Sequence, residues 1–439
     1  MRFISFSSIF CTLVLFAQAA SAIPDIQHWV TDNGARVYFV PAPEIPMVDV
    51  RFVFSAGSAR DEGKAGLAHL VGQLISEGAG ELDANVFSEQ LAQTGAMLST
   101  GAMRDMAWVS LRTLSDDEYS RPALALMQLA LSKPRFDTAA FERERANQLI
   151  RIKREQQSPA SIASNTFFKQ LYGSHPYGSP VSGTEASVVA ITIEDVRSFH
   201  HRYYAAKNTT VSIVGALTRA QAEELASKLS TNLDAGEKAP AIKPVTTLAE
   251  PIEQRIDFPS IQSHVKLGQP GLKRGDEDYF ALLVGNHVLG GSGLVSILFD
   301  EVREKRGLSY SVGSDFSPMA ELGPFSASLQ TDNSQSDEAI SVLRDEIGKF
   351  IATGPSAEAL TAAKQNLIGG FPLRISSNSK TLEYVSMIGF YELPLDYLKT
   401  FGSFVDAVTI EDVRSAFSRR LDLDKMVLVV VGKSKVDES

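Results

Sequence analysis

Apolar and polar residues alternate at Arg36–Val40, Val48–Ser55 and Met106–Thr113, with β-branched and aromatic side chains on one face, and these runs predict strands. A 3.6-residue period takes over at Gly66–Ile75, Asp83–Gln93, Ser120–Leu131 and Asp137–Arg154, and predicts helices. The succession returns later in the chain. Strands are expected at Ser263–Leu267, Tyr310–Phe316 and Gly323–Thr331, and helices at Tyr279–Leu289, Leu294–Lys305, Ser336–Ala352 and Ala357–Leu367. Strand runs interspersed with helix pairs predict an α+β fold, each unit a mainly antiparallel sheet packed with helices.

The return is a duplication. Thr192–Gly215 and Thr409–Gly432 match without a gap and begin with the same seven residues, TIEDVRS. Each reads as a Thr-capped helix with acids in its first turn, followed by a β-branched strand that ends at Gly. Ala68–Gln73 aligns with Ala281–Asn286, and Phe87-Ser88-Glu89 with Phe299-Asp300-Glu301, at nearly the same offset. Ordered repeats of this kind imply two homologous domains, placed at 23–231 and 255–436. The stretch 232–254 between them is polar, carries Pro240, Pro244 and Pro251, and reads as a linker.

Residues 1–22 have the form of a leader: Arg2, then an apolar run from Ile4 to Phe16, then Ala20-Ser21-Ala22 as a cleavage site. The expectation is export to a periplasm, with cleavage after Ala22. The single cysteine, Cys11, lies in that leader, so neither a disulfide framework nor thiol chemistry is expected in the mature chain. A net charge of −10 argues against a nucleic-acid surface. No later apolar run is long enough to predict a transmembrane segment.

Candidate chemistry centres on Leu67-Ala68-His69-Leu70-Val71-Gly72-Gln73. With Ala56–Arg60, Leu171–Gly173, His175–Gly178, Gly290-Gly291 and Leu298–Val312, this segment resembles the pitrilysin-type (M16) zinc peptidases, and the likeness covers nearly the whole mature chain. The resemblance implies two M16-type domains. In that family the first-half helix carries H-x-x-E-H. The two histidines and a glutamate on a later helix hold Zn²⁺, and the motif glutamate activates water. Matched residue by residue, His69 is kept. Gly72 stands for the general base, Gln73 for the second histidine and, counting on from Phe141-Glu142-Arg143-Glu144-Arg145, Arg151 for the third ligand. A register error of one turn would bring Glu144 or Glu155 near instead. The resemblance thus implies that this chain binds no metal and has no catalytic residue of its own, with His69 a relic.

The second half carries Arg303 and Tyr310 at the family's seven-residue spacing, and the repeat puts Leu91 and Leu98 at the same places in the first half. In two-chain members such a pair reaches across to the substrate beside the other subunit's zinc. A guanidinium and a phenol suit peptide carbonyls. The expected function is therefore the non-catalytic, substrate-binding subunit of a heterodimeric zinc metalloendopeptidase, with zinc in the partner and peptides as substrates. The alternatives are a peptidase-like scaffold or peptide-binding protein without proteolytic role, or an enzyme with an altered metal site. His200-His201, His175–Gly178 and the Gly290–Gly293 loop read as structural or as a flexible contact: adjacent histidines on a helix diverge, and no Lys-Ser/Thr follows the glycines.

Overall fold

The computed structural model describes residues 23–433; the leader with its cleavage site, and residues 434–436 of the second domain, lie outside the described residues. Each half is built on one sheet. In the first, β1 (Gln27–Val30), β2 (Arg36–Pro41), β3 (Met47–Phe54), β4 (Met97–Ala102), β5 (Ala107–Leu114) and β6 (Thr209–Gly215) are ordered β1-β2-β6-β3-β5-β4. In the second, β7 (Ile252–Asp257), β8 (Gln262–Leu272), β9 (Ser311–Phe316), β10 (Gly323–Asp332) and β11 (Val427–Gly432) are ordered β7-β11-β8-β10-β9. Without β1 the two orders coincide. In each sheet only the pair that the repeat relates, β2·β6 and β7·β11, is parallel. The capping boxes predicted from TIED form in both copies, Thr192 with Asp195 and Thr409 with Asp412.

The helices of the first half run α1 (Leu67–Leu74), α2 (Ala84–Gln93), α3 (Asp117–Ser132), α4 (Thr138–Glu155) and α5 (Pro159–Tyr172). α1 and α3 lie on β4 and β5 of their own sheet, with α4 packed on α1 and α2 on α3. α5 does not. It crosses to the second sheet, where Ala163, Phe167 and Leu171 pack on Val427, Val429 and Val431 of β11. Its repeat counterpart, the Asn378–Phe390 helix, makes the reverse crossing onto β2, β3 and β6. There Leu382, Val385 and Ile388 join Tyr38, Val40 and Val214 in one cluster. A Cβ on Gly389 would lie 2.6 Å from Thr210, so the helix sits that close only because the residue is glycine. The halves thus exchange helices, and β6 and β11 are buried on both faces along their whole length.

Two segments differ from expectation. The helix expected over Leu294–Lys305 is broken into a 3₁₀ turn (Gly293–Val295) and a wide-turned π segment (Phe299–Glu304). Between them Ser296 is extended, and its hydroxyl donates to the Gly293 carbonyl at 2.7 Å and accepts from Phe299 N at 3.4 Å, replacing main-chain bonds. β7 begins at Ile252, inside the stretch read as linker, and the rest of that stretch is docked rather than loose: Val245 is buried and His175 Nε2 meets the Lys243 carbonyl at 2.8 Å. Among the described residues no helix is long and apolar enough to cross a membrane.

His200 is held in the first core, its Nε2 donating to the Leu131 carbonyl at 3.1 Å and its ring stacked on Tyr204. Burial pushes its pKa down to about 4, a shift the Leu131 carbonyl opposes and neighbouring His201 reinforces. The unfolded chain therefore takes up a proton near pH 6.5 that the fold refuses until about 4. Stability is full above pH 6.5 and is lost as pH falls through this window, by about 2–3 kcal/mol for this residue. His200→Gln is expected to flatten that part of the profile, as read from urea midpoints at pH 7.5 and 5.

Candidate functional site

α1 is firmly placed. Gly66, at φ +96°, turns the chain into it, a conformation that favours glycine. The Asp61 carboxylate accepts from Gly66 N and Ala68 N, both at 2.8 Å. From α4, the Gln148 amide donates to the carbonyls of Gly66 and Ser182 at 3.1 and 2.7 Å. The helix of the dismantled motif is thus still anchored at its start and against α4.

What it presents has changed. His69 Nε2 is buried with no hydrogen-bond partner. Burial, and then the charge of Arg151, push the His69 pKa down to about 4, which leaves the imidazole neutral at pH 7. Half-buried Gln73 and exposed Arg151 make no side-chain hydrogen bond or ion pair among the described residues. Glu144 and Glu155 are committed elsewhere, to Arg143 and to Ser182. Among the described residues no three His, Cys, Asp or Glu side chains come together as a metal requires. A single neutral imidazole beside a guanidinium does not fit zinc.

Comparison with the second half removes one sequence-level likeness. Gly72-Gln73 aligns with Gly285-Asn286, but the pairs play different parts. A Cβ on Gly285 would lie 2.5 Å from Phe417, and Asn286 is buried in a two-way bond with Ser314. Those residues are required by packing. At Gly72 a Cβ would meet only Gly101 of β4, at an ordinary 3.7 Å. The fold does not demand glycine there, and a Cβ fits.

Arg303 and Tyr310 flank the approach to β9. The Arg303 guanidinium lies over the Phe299 ring at 4.6 Å, with its nearest carboxylate, Glu304, 4.0 Å away. Tyr310 is 71% exposed, held only through its backbone N–H to Gln330. Their first-half counterparts, Leu91 and Leu98, pack against the core. The two halves have therefore diverged into one with an apolar and one with a polar surface at equivalent places.

Sequence reasoning passed over a junction between the two halves. Buried Asp105, just past β4, accepts hydrogen bonds from Tyr177, from Tyr391 at 2.9 Å and from Ala320 N at 2.8 Å. Tyr177 belongs to the HPYG turn, while Tyr391 and Ala320 belong to the second half. Beside the junction a cavity of about 900 Å³ lies between the halves, lined among others by Arg51, Trp108, Phe168, Phe316 and Met387. The HPYG run was the available signal, because a fully buried Tyr in a tight turn needs a partner for its hydroxyl.

The chain is matched over residues 36–185 by the family model for insulinase-type M16 peptidases and over 190–367 by that for the M16 inactive domain. It is 25% identical to a protein of Bacillus subtilis described as an uncharacterized zinc protease, covering 93% of this chain and 98% of that one. A Helicobacter pylori protein described as a non-peptidase homolog is 24% identical, covering 90% and 91%. A crystal structure from Pseudomonas fluorescens, described as a peptidase M16 inactive domain, is 36% identical with a TM-score of 0.91, covering 94% of this chain and 100% of that one.

Proposed function

The chain belongs to the M16 peptidase family as an inactive homologue, and from that premise we propose that it is the substrate-holding subunit of a two-chain zinc endopeptidase. The partner is an M16 chain with an intact H-x-x-E-H motif, which brings the zinc and the water. This chain closes the chamber and offers Arg303 and Tyr310 to the peptide. The observation that carries the reading is that Tyr310 is exposed and Arg303 half-exposed, with only a long contact to Glu304, against the core-packed Leu91 and Leu98. A guanidinium held by one ring and a carboxylate 4.0 Å away costs little to redirect toward a carbonyl on which charge develops, and one such donor contributes roughly 10²–10³ in rate. The leader at 1–22 supports a periplasmic site of action.

Co-expression with a zinc-bearing M16 chain tests this. Arg303→Ala is expected to lower kcat/KM of the assembled pair by about 10²–10³, with assembly by size exclusion unchanged. Tyr310→Phe keeps the ring and loses only the hydroxyl, so a smaller fall is expected. Unchanged kcat/KM in Arg303→Ala would reduce the chain to a scaffold.

A further inference from the structure

The helix exchange leaves a space that the proposed function does not use. Between the halves, beside the Asp105 junction, lies a cavity of about 900 Å³ with Trp108, Phe168, Phe316, Met103, Met319 and Met387 among its walls. That is the size of a small-molecule site, and such sites form preferentially where domains meet. Both halves wall it, and the two crossing helices supply Phe168 and Met387. Met103 and Asp315, both exposed, place its mouth at the surface. The rings and thioethers make the wall apolar, and unbranched methionines adapt to a flexible chain.

One cation in that wall is out of place. Arg104 lies over the Phe168 ring at 3.6 Å and donates Nε to the Tyr177 carbonyl at 2.9 Å. Its two terminal nitrogens make no hydrogen bond or ion pair among the described residues. Burial pushes its pKa down to about 10, a shift that Tyr172, Asp105 and Tyr177 oppose. A cation taken from water calls for a paired anion. The other charges around the cavity are accounted for. Asp105 is spent on two hydroxyls and a backbone N–H. Arg51 donates to Ser110 at 3.2 Å and has exposed Glu383 acting on it. Arg274 lies over Tyr279 and Tyr391 and donates to the Pro318 carbonyl at 3.3 Å. Asp315 accepts from Ser317 in solvent.

We propose that this cavity binds a single-chain amphiphile with a carboxylate head, the head on Arg104 and the apolar chain among Phe168, Phe316 and Met387. With Nε already used, the terminal fork of Arg104 meets a carboxylate end-on through two N–H donors. One unpaired guanidinium matches one negative charge, and an apolar chain removes the aromatic and methionine walls from water. The inference is independent of the substrate-holding reading, since it uses neither Arg303 nor Tyr310.

The test uses the purified full chain without any partner. Trp29 and Trp108 are its only tryptophans, so a Trp29→Phe background reports on Trp108 in the cavity wall. The chain is titrated with ω-bromododecanoate below its micelle concentration, and quenching by the bromine is followed. The alcohol ω-bromododecanol offers the same chain with a neutral head. Saturable quenching is expected, with the acid bound at least about tenfold more tightly, the equivalent of one charge-assisted contact. Arg104→Gln should bring the acid to the affinity of the alcohol, and Arg104→Lys should keep most of the preference. If Arg104→Gln does not fold, the comparison of acid with alcohol on unaltered Arg104 still decides. Quenching that does not saturate, or that is as strong for Trp29 in a Trp108→Phe background, would overturn the site. Equal affinity for acid and alcohol, or an acid preference that survives Arg104→Gln, would overturn the assignment of the head. Arg303→Ala should bind as the parent does, so failure of this inference leaves the substrate-holding reading in place.

Discussion

Wild type is expected to take up no stoichiometric zinc, and combining Gly72→Glu, Gln73→His and Arg151→Glu is expected to give a chain that binds it tightly, at roughly micromolar Kd or better. The reason is that the scaffold of the site persists. α1 keeps its anchors on Asp61 and Gln148, so a histidine at 73 would lie one turn from His69 on the same face. Gly72 has space for a Cβ, and residue 151 lies one turn beyond Gln148, by which α4 anchors α1. Three ligands with one open position is the arrangement of catalytic zinc sites. Metal analysis after dialysis gives the stoichiometry. At 100 times Kd, zinc should stabilise the variant by about 2.7 kcal/mol and leave wild type unmoved. Keeping Arg151 while making the other two changes should abolish most of the gain, because a guanidinium would face the metal. A folded triple variant without zinc would show that 151 is not the third ligand position.

Asp105→Ala is expected to be strongly destabilising, by about 3–5 kcal/mol. It removes one buried carboxylate and strands three donors, the Tyr177 and Tyr391 hydroxyls and the Ala320 N–H, at the junction of the halves. Arg60 and Arg104 nearby would also lose a compensating charge. Hydrogen bonds to a charged group contribute about 1.5–3 kcal/mol each, and buried groups left unpaired cost their desolvation as well. Asp105→Asn keeps the shape and one acceptor and should cost about half as much. Since the halves exchange helices, a single urea transition moved to lower midpoint is expected. A midpoint within experimental error of wild type would show that solvent reaches the junction.

The site was legible in parts. His69, Gly72, Gln73 and Arg151 could be named because the spacing of a helix motif survives loss of its chemistry. That Arg151 is uncommitted, and that Gly72 is spacious while Gly285 is crowded, could not be read from either copy of the repeat. Both depend on what the neighbouring helix and strand place against those atoms. Asp105 gave no signal, as its partners lie more than seventy residues away or in the other half.

Elements divide in the same way. Strands β3, β5 and β10 and helices α1 to α4 follow from local periodicity, because each buries one face within its own half. α5 and the Asn378–Phe390 helix escaped the periodic reading. Their apolar residues answer to a sheet in the opposite half, and Gly389 answers to the approach of Thr210. The sequence by itself determined the duplication, the α+β class and the departure from H-x-x-E-H at Gly72 and Gln73, since these are written in spacing and residue type. Only the tertiary structure decided that the halves interlock by exchanging helices, that Asp105 joins them, and that a Cβ has room at Gly72 but not at Gly285. Those properties belong to distances between residues far apart in the chain, which no local pattern encodes.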